Sequence, residues 1–325
     1  MTVRAGVVVT GTEVLAGRVT DRNGPWVAQR LLEMGVDVAH ITICADRPDD
    51  LTAQLQFLAD QRVDLIVTTG GLGPTADDLT VATVAALYGR ELPLDQELEQ
   101  QIHAIVQRWR SRLSSATDFE PLRAGIRKQA MVPAGAHSIP PTGTAPGIAI
   151  PANGSGTLPA VLILPGPPRE LRPMVDDQAM PFIRKHLPLE QPFHCSILRS
   201  LGIGESMVED MLLGPLRPLM DRGLDLGFCA RTGQVDIRLS GSGPDMPAVI
   251  AEAEATIRAA IDKQIYGTDD ETIEQVVVGQ LIATGETLAV AESCTGGLLG
   301  HHITNVPGAS AIFAGGMLTY SNEMK

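Results

Sequence analysis

Residues 63–80 combine the residue types that hold a phosphate and a metal ion. They read V-D-L-I-V-T-T-G-G-L-G-P-T-A-D-D-L-T, an apolar run followed by three glycines, a proline and two adjacent carboxylates. Glycines let the backbone approach an anion closely, and a helix predicted to start near Ala76 would turn free N–H groups toward it. Asp77 and Asp78 would repel a phosphate unless a cation lay between them. The stretch therefore indicates a phosphate ester with a divalent metal, or else a plain strand-to-helix turn capped by Asp77.

Two further polar loops follow predicted strands. One reads T-G-T-E after residues 5–10, and the other reads P-G-P-P-R-E after residues 160–164. Carboxyl ends of parallel strands meet at one edge of an open α/β sheet, where ligands bind, so we expect these loops to converge with the glycine stretch. The acidic candidates at this edge are Glu13, Asp21, Asp77, Asp78 and Glu170, and the neutral donors are Thr10, Thr12, Asn23, Thr69, Thr75 and the glycine N–H groups.

This mixture of side chains predicts a reaction class. Carboxylates with hydroxyl and amide groups suit Mg²⁺ and a diphosphate better than acyl transfer. The prediction is metal-assisted hydrolysis with a carboxylate as base, and the spacing does not say which carboxylate. Asp77 and Asp78 are adjacent. On the predicted helix their side chains would point about 100° apart and would not both reach one ion.

The order of elements predicts an α/β fold with a mostly parallel sheet. Continuous apolar runs at residues 5–10, 36–43 and 63–69 alternate with helical patterns, which gives a β-α-β-α-β order with right-handed crossovers. Further strands are predicted at residues 147–150 and 160–164, and a helix from there to about residue 186. We place the first domain at residues 1–170, with the helix that follows as its last element or as a linker to the next domain.

Two shorter regions follow. Residues 171–268 alternate strands and helices as a small α+β domain, and their G-I-G-E (residues 202–205) lacks the basic cluster of a nucleic-acid clamp, which favours a tight helix entry. Residues 269–325 predict a helix closed by Gly285, a strand, the motif E-S-C-T-G-G, a helix from Leu298 and a further strand. We expect this third domain to be incomplete, because so short a βαβ start does not close a core.

Composition narrows the classes of protein. The 325 residues are 44% hydrophobic and carry a net charge of −13, which argues against nucleic acid as a partner. The cysteines Cys44, Cys195, Cys229 and Cys294 fit neither a zinc site nor a disulfide framework. The N-terminus passes directly into a strand, and no apolar run reaches membrane-spanning length. We expect a cytoplasmic protein without a membrane partner.

A series of motifs resembles one family along essentially the whole chain. The blocks G-T-E-V-L-A-G-x-x-x-D-x-N, T-T-G-G-L-G-P-T-x-D-D-L-T, G-T-A-P-G, L-P-G-x-P-x-E, G-I-G-E-S, A-E-S-C-T-G-G and G-G-M-L-T-Y-S-N-E-M-K occur in order. They resemble the competence/damage-inducible protein A (CinA) family, and the first block also resembles the wider molybdopterin-binding fold of molybdenum cofactor biosynthesis proteins.

The resemblance implies three domains and two activities. A three-layer molybdopterin-binding-like domain would hydrolyse ADP-ribose to AMP and ribose 5-phosphate with Mg²⁺ or Co²⁺, and K⁺ is a further candidate cation. A KH-like α+β domain and the truncated start of an α/β nicotinamide mononucleotide (NMN) amidohydrolase domain would follow. Family members are typically homodimers. Rival expectations are a pterin-handling protein and a nucleotide-sensing or DNA-uptake accessory protein without catalysis.

The resemblance also assigns residues. Its phosphate and metal loop matches Gly70, Gly71, Gly73, Pro74, Thr75, Asp77 and Asp78, with Glu13, Asp21 and Asn23 from the first block. Among these we expect Glu13 and Asp78 to be catalytic and Asp21, Asp77 and Asp78 to bind the metal. The strand-end loops add Thr10, Thr12, Gly166 and Glu170 to the ligand-binding positions Asn23, Gly70, Gly71, Gly73, Pro74 and Thr75. This chain has Pro140 where the family usually has Asn ahead of G-T-A-P-G, so that side-chain contact is missing.

The amidase motif matches Ser293 as nucleophile, with Tyr320 and Lys325 as supporting tyrosine and general base. Ser293 lies at a predicted strand-to-helix turn, where the N–H groups of Thr295, Gly296 and Gly297 would face an oxyanion. The lysine would need a pKa lowered by partial burial. The alternatives are Ser293 as a helix N-cap and Cys294 as nucleophile, although a packed structural thiol fits Cys294 better.

Overall fold

A computed structural model describes residues 3–110, 120–152, 158–189 and 191–325. The chain divides into two compact units, Met1–Pro192 and Phe193–Lys325. The elements of the first unit are β1 (Arg4–Thr10), α1 (Thr12–Leu15), α2 (Gly24–Leu32), β2 (Asp37–Cys44), α3 (Pro48–Asp60), β3 (Leu65–Thr69), α4 (Thr80–Leu87), α5 (Gln96–Arg110), α6 (Glu120–Gln129), β4 (His137–Ile139), β5 (Gly147–Ile150), β6 (Ala160–Leu164), α7 (Pro168–Met174), a π-helical turn (Val175–Ala179) and α8 (Met180–His186).

The first unit is a three-layer α/β domain. Its sheet has the order β2-β1-β3-β6-β5-β4. The first four strands in this order are parallel, and β5 and β4 continue the sheet antiparallel. One apolar core joins the sheet to α2, α7 and α8, and a second joins it to α3 and α4. The predicted mostly parallel α/β architecture is confirmed, and the short edge strand β4 was not predicted.

The uniform burial of the central strands explains their sequences. Every residue of β3 and β6 is buried, because helices cover both faces of the sheet. Such strands read as continuous apolar runs, which is why the sequence located them. Thr68 and Thr69 are the polar exceptions in β3, and Thr68 is fully buried beside Val8 and Ile163 in the neighbouring strands.

The predicted helix start at Ala76 is wrong. Helix α4 begins at Thr80, and residues 71–79 form a loop. Thr80 closes this loop, because its N–H donates to the carbonyl of Gly71 at 3.3 Å and its hydroxyl donates to the carbonyl of Gly70 at 3.0 Å. Asp77 and Asp78 therefore lie on a loop.

The helical segment after Glu170 belongs to the first unit by its packing. Leu171, Met174, Val175 and Ile183 are buried in the core beneath β1 and β3. The boundary between compact units accordingly falls between Pro192 and Phe193, later than the boundary we placed at residue 170.

The second unit contains two sheets. Its elements are β7 (Phe193–Leu201), α9 (Glu205–Met220), β8 (Asp225–Arg231), β9 (Gln234–Ser242), α10 (Met246–Ile261), β10 (Ile265–Thr268), α11 (Ile273–Thr284), β11 (Leu288–Glu292), α12 (Leu298–Thr304) and β12 (Phe313–Leu318). The first sheet is antiparallel in the order β10-β7-β9-β8, and α9 and α10 pack on one face of it. The second pairs β11 with β12 in parallel.

Helix α9 contains two prolines in its interior. It continues to Met220 through Pro215 and Pro218, each of which removes a backbone hydrogen bond. Val208, Leu212, Leu216 and Leu219 form a continuous buried face, and this packing outweighs the broken bonds. Among the described residues, no helix combines the length and apolar content needed to cross a bilayer.

The buried hydroxyl of Thr68 yields a stability prediction. Its Oγ1 has no hydrogen-bond partner among the described residues. Replacing an unpartnered buried polar group by an apolar group of the same shape is neutral or stabilising, so Thr68→Val should raise the free energy of unfolding by about 1 kcal/mol. Urea unfolding followed by circular dichroism measures the change. A clear loss of stability would show that the hydroxyl has a partner.

Candidate active site

Three strand ends meet at Gly70. Its N–H donates to the carbonyl of Leu164 at 3.0 Å, which joins the end of β3 to the end of β6. Gly70 has a φ of 104°, and a Cβ there would overlap the backbone and side-chain oxygens of Thr10 at the end of β1. A Cβ on Gly166 would lie 3.5 Å from the Cα of Gly70. The predicted convergence of polar loops at one sheet edge is therefore seen, and glycine at position 70 makes it sterically feasible.

Two adjoining cavities open at this edge. The larger has a volume of about 650 Å³ and the smaller about 340 Å³. Both are lined by Thr10, Glu13, Gly166 and Pro167, so these residues form their common boundary. A small-molecule site is concave and of this size, which makes the pair the candidate active site.

The smaller cavity has a strongly acidic lining. Its carboxylates are Glu13, Asp46, Asp77, Asp78 and Glu170, and none of the described residues that line it is a lysine or arginine. Its wall also includes Gly70, Gly71 and Gly73. An anionic ligand would be repelled here unless cations entered with it.

Thr75 brings Asp77 and Asp78 together. Its Oγ1 lies 2.5 Å from Oδ1 of Asp77 and 2.6 Å from Oδ2 of Asp78, and its N–H donates to the same Asp78 oxygen at 2.9 Å. The separation of about 100° that we predicted for the two carboxylates required a helix and is wrong. The hydrogen bonds from the Thr75 hydroxyl and from the backbone N–H of Asp77, with the charge of Lys128, lower the pKa of Asp77.

Helix α6 supports the loop of residues 71–79, which carries Asp77 and Asp78 and is called the acidic loop below. Gln129 donates to the carbonyl of Leu72 at 2.9 Å, and Lys128 donates to the carbonyl of Thr75. A Cβ on Gly125 would lie 2.6 Å from the Cβ of Pro74, so the loop packs directly on the helix. The positions of Pro74 and Thr75 thus depend on contacts with a helix about 50 residues later in the chain.

Glu170 is a buried carboxylate in the wall of the smaller cavity. It lies in the first turn of α7 and is 8% exposed. Burial raises its pKa, and the charge of Arg169 and the N–H of Ala145 oppose that rise. A Cβ on Gly143 would overlap the Glu170 carboxylate, so the G-T-A-P-G block lies directly against it. Glu170 therefore holds that block at the cavity.

Asp46 is a cavity residue that the sequence analysis missed. Its Oδ2 accepts from the N–H of Thr12 at 2.8 Å and from the Thr12 hydroxyl at 3.1 Å. It follows β2, the fourth parallel strand at this edge, in the sequence C-A-D-R. Polar loops that follow parallel strands meet at one edge of the sheet, and this rule would have identified Asp46 if we had applied it to the loop after β2.

Asp21 lies apart from the other predicted metal ligands. It lines the larger cavity, whereas Asp77 and Asp78 line the smaller. Its Oδ1 accepts from the N–H groups of Asn23 at 2.9 Å and Gly24 at 3.1 Å, so it caps α2. Across the described residues there is no group of three or more His, Cys, Asp or Glu side chains placed to hold a metal ion.

A second candidate site surrounds Ser293 in the second unit. Glu292, which is 5% exposed, accepts from the N–H groups of Gly297 at 3.1 Å, Leu299 at 3.0 Å and Gly300 at 2.8 Å. These hydrogen bonds, of which the one from Gly300 has the largest effect, lower the pKa of Glu292, whereas burial acts to raise it. The N–H of Gly296 donates to the Ser293 carbonyl at 3.2 Å. Gly296 and Gly297 thus have intramolecular partners, contrary to their predicted oxyanion role, and Glu292 rather than Ser293 caps α12.

The structure brings Ser293 and Tyr320 to the same sheet end. Ser293 follows β11, and Thr319, which follows β12, donates its N–H to the carbonyl of Glu292 at 2.7 Å. Tyr320 is the next residue and is 75% exposed. Lys325 is also exposed and follows a short 3₁₀ turn, Asn322–Met324.

The first unit has the fold class of the molybdopterin-binding domains. A family model described as a probable molybdopterin binding domain matches residues 6–185, one described as the damage-inducible protein CinA KH domain matches 196–267, and one described as the CinA C-terminal domain matches 270–325. The chain belongs to the CinA family, as its resemblance in sequence indicated.

Two CinA-like proteins match essentially the whole chain and support this membership, and two solved structures match part of it. A CinA-like protein of Mycolicibacterium paratuberculosis is 47% identical over 99% of this chain and 74% of its own length. One of Mycobacterium sp. (strain MCS) is 48% identical over 100% of this chain and 76% of its own. A CinA structure from Thermoplasma acidophilum is 31% identical, covering 55% of this chain and 98% of that chain with a TM-score of 0.46. The molybdopterin biosynthesis enzyme MoaB from Thermus thermophilus is 20% identical, covering 57% and 95% with a TM-score of 0.37.

Two glycines with the same backbone conformation test the geometry of the site. Gly71 has a φ of 66° and Gly89 a φ of 60°. A Cβ on Gly71 would overlap the hydroxyl of Thr80, whereas a Cβ on Gly89 would meet nothing within 4 Å. Gly89→Ala should lower the free energy of unfolding by about 1–2 kcal/mol, because alanine is strained in the left-handed conformation. Gly71→Ala should lower it by about 1–3 kcal/mol more, because the new Cβ also overlaps Thr80. Equal losses in urea unfolding would contradict the described packing at Gly71.

Proposed function

We propose that the first unit hydrolyses the diphosphate of ADP-ribose, releasing AMP and ribose 5-phosphate. The observation that carries this proposal is the pair of cavities that meet at Thr10, Glu13, Gly166 and Pro167. A diphosphate with a substituent at each end fits two adjoining cavities with a common boundary. The N–H of Gly70 is bonded to Leu164, so the backbone donors to the diphosphate oxygens would be those of Gly71 and Gly73.

The acidic lining supports a requirement for a divalent cation. Asp77 and Asp78 supply carboxylate oxygens beside the Thr75 hydroxyl, and hard oxygen donors of this kind suit Mg²⁺. Mg²⁺ in enzymes is commonly held by one or two carboxylates with phosphate oxygens and water, so two protein carboxylates suffice. When bound, the ion would neutralise phosphate oxygens. Asp21 takes no part in this arrangement, because it caps α2 at the larger cavity.

Glu13 is the base in this proposal. It belongs to the common boundary of the cavities, and it is exposed on the short helix α1 directly after β1. In the reaction a water oxygen attacks one phosphorus atom, Glu13 takes the water proton, and the bond from that phosphorus to the bridging oxygen breaks. Glu170, whose pKa is raised by burial, holds the G-T-A-P-G block in place.

A pterin is the second candidate ligand of the first unit. The match of residues 6–185 to a probable molybdopterin binding domain supports it. A pterin would occupy the larger cavity and its phosphate the common boundary. The two candidates differ in chemistry, since only the first predicts that AMP appears when ADP-ribose is added.

For the second unit we propose hydrolysis of the NMN amide with Ser293 as nucleophile. Supporting observations are the match of residues 270–325 to the CinA C-terminal domain and the placement of Ser293 and Tyr320 at one sheet end. The oxyanion donors would come from groups other than the N–H of Gly296 and Gly297, which are already bonded. Lys325 is the base in this proposal, and partial burial would lower its pKa toward the range that a base requires.

Replacing Asp78 tests the first activity. Asp78→Asn keeps the shape of the side chain and removes a charge that faces the cation, so kcat/KM for ADP-ribose should fall at least about 100-fold. EDTA should abolish AMP release by the unmodified protein, and added Mg²⁺ or Co²⁺ should restore it. Chromatographic quantification of AMP provides the measurement.

The matched control is Asp49→Asn, an equal charge change on the exposed first turn of α3. It should leave kcat/KM within about twofold, as expected for a surface substitution. AMP release that is unaffected by both Asp78→Asn and EDTA would refute the metal-dependent mechanism. Without any AMP release, binding of a molybdopterin adenylate would favour the pterin candidate, and binding of ADP-ribose alone would favour a nucleotide sensor.

Substitutions of two adjacent residues, Ser293 and Cys294, distinguish the two candidate nucleophiles of the second unit. Ser293→Ala should remove ammonia release from NMN and leave ADP-ribose hydrolysis unchanged, because the activities use different units. Cys294 is exposed, contrary to the packed thiol that we expected, and Cys294→Ala should leave both activities intact because Ser293 is the nucleophile in this proposal. Ammonia release that survives Ser293→Ala but not Cys294→Ala would reverse the assignment.

A further inference from the structure

The first unit contains two buried side-chain oxygens without a hydrogen-bond partner among its described residues. They are Oδ1 of Asn23 and Oγ1 of Thr68. Asn23 is 7% exposed and lines the larger cavity, whereas Thr68 is fully buried in the apolar core and lines neither cavity. A buried acceptor without a donor destabilises the folded state. The position of Asn23 at a cavity suggests that its oxygen is retained for a ligand.

The orientation of the Asn23 amide follows from its partners. The carbonyl of Gly166 can only accept, and it lies 2.6 Å from Nδ2 of Asn23. Turning the amide over would place two acceptors together, so Nδ2 must face Gly166. Nδ2 also lies 3.5 Å from the Thr69 hydroxyl. The atom that Asn23 can offer to a ligand is therefore Oδ1, which accepts hydrogen bonds and cannot donate to a phosphate.

The two cavities differ in size and charge. The larger is lined by three valines (Val9, Val14 and Val19), and its two arginines (Arg18 and Arg22) balance the carboxylates of Glu13 and Asp21. The smaller carries five carboxylates, and none of its described lining residues is a lysine or arginine. If a diphosphate lies at their common boundary, the larger half of ADP-ribose belongs in the larger cavity. That half is the nucleoside, which carries a base amine and ribose hydroxyls as donors.

We propose that Asn23 selects the nucleoside half of the substrate by accepting a hydrogen bond from it through Oδ1. The donor is an N–H of the base or an O–H of the ribose. The placement of the substrate rests on the proposed function. Oδ1 exposes less than 1 Å² in the free protein, so the contact requires a small movement of the amide into the cavity that Asn23 lines. A nucleoside without the donor would leave the oxygen unpaired and would bind more weakly.

Binding of the product nucleotide tests the proposal without turnover. The probes are AMP, IMP, 2′-deoxy-AMP and 3′-deoxy-AMP, titrated calorimetrically in the presence of Mg²⁺. The unmodified protein should bind AMP at least about tenfold more tightly than the analogue that lacks the relevant donor. A weaker affinity for IMP would identify the base amine, and a weaker affinity for a deoxy analogue would identify the ribose hydroxyl. Asn23→Leu should bind AMP at least about tenfold more weakly and lose this preference.

Two further variants separate recognition from a structural role. Thr68→Val removes the other unpartnered oxygen, and it should leave nucleotide affinities and their ranking unchanged. Asn23→Asp keeps the acceptor while losing the donor to Gly166, so it should retain the ranking even with a lower affinity. It also provides a test should Asn23→Leu fail to fold.

Specific outcomes would overturn the inference. They are equal affinities of the unmodified protein for all four nucleotides, no measurable AMP binding, or an unchanged ranking in Asn23→Leu. These outcomes are distinct from failure of the proposed catalysis. A protein that prefers AMP through Asn23 but releases no AMP from ADP-ribose would retain the recognition and lose the hydrolase assignment.

Discussion

The close approach of three strand ends at Gly70 is the constraint on which the first unit depends. Thr10, Gly70 and Gly166 lie at the ends of β1, β3 and β6, and a side chain at position 70 would overlap Thr10. Because the backbones meet there without side chains between them, the loops that follow open into cavities on both sides. The glycines therefore set the boundary at which a ligand would span the two cavities.

The acidic loop combines local hydrogen bonds with distant support. Thr75 gathers Asp77 and Asp78, and the loop is held through the backbone by Lys128 and Gln129 of α6. A hydroxyl has one proton, so Thr75 can donate to one of the two carboxylates at a time. A cation that joined them would relieve the repulsion between the carboxylates, in agreement with the cation requirement that we propose.

The sequence predicted the sheet well because buried parallel strands carry continuous apolar runs. It placed the start of α4 too early, since the hydrogen bonds of Thr80 to Gly70 and Gly71 outweigh the helical pattern of residues 76–79. The sequence also predicted that Glu13, Asp77 and Glu170 belong to one site. This prediction needed only the rule that ligands bind where the carboxyl ends of parallel strands meet. The separation of Asp21 from Asp77, and the free oxygen of Asn23, depend on three-dimensional packing that spacing does not encode.

The capping of α12 by Glu292 separates the support of the helix from the side chain at position 293, which is the nucleophile in our proposal. Glu292 accepts hydrogen bonds from three N–H groups at the start of the helix, and the side chain of Ser293 supplies none of these bonds. A substitution at position 293 would therefore change the chemistry of the turn and leave the cap of α12 in place.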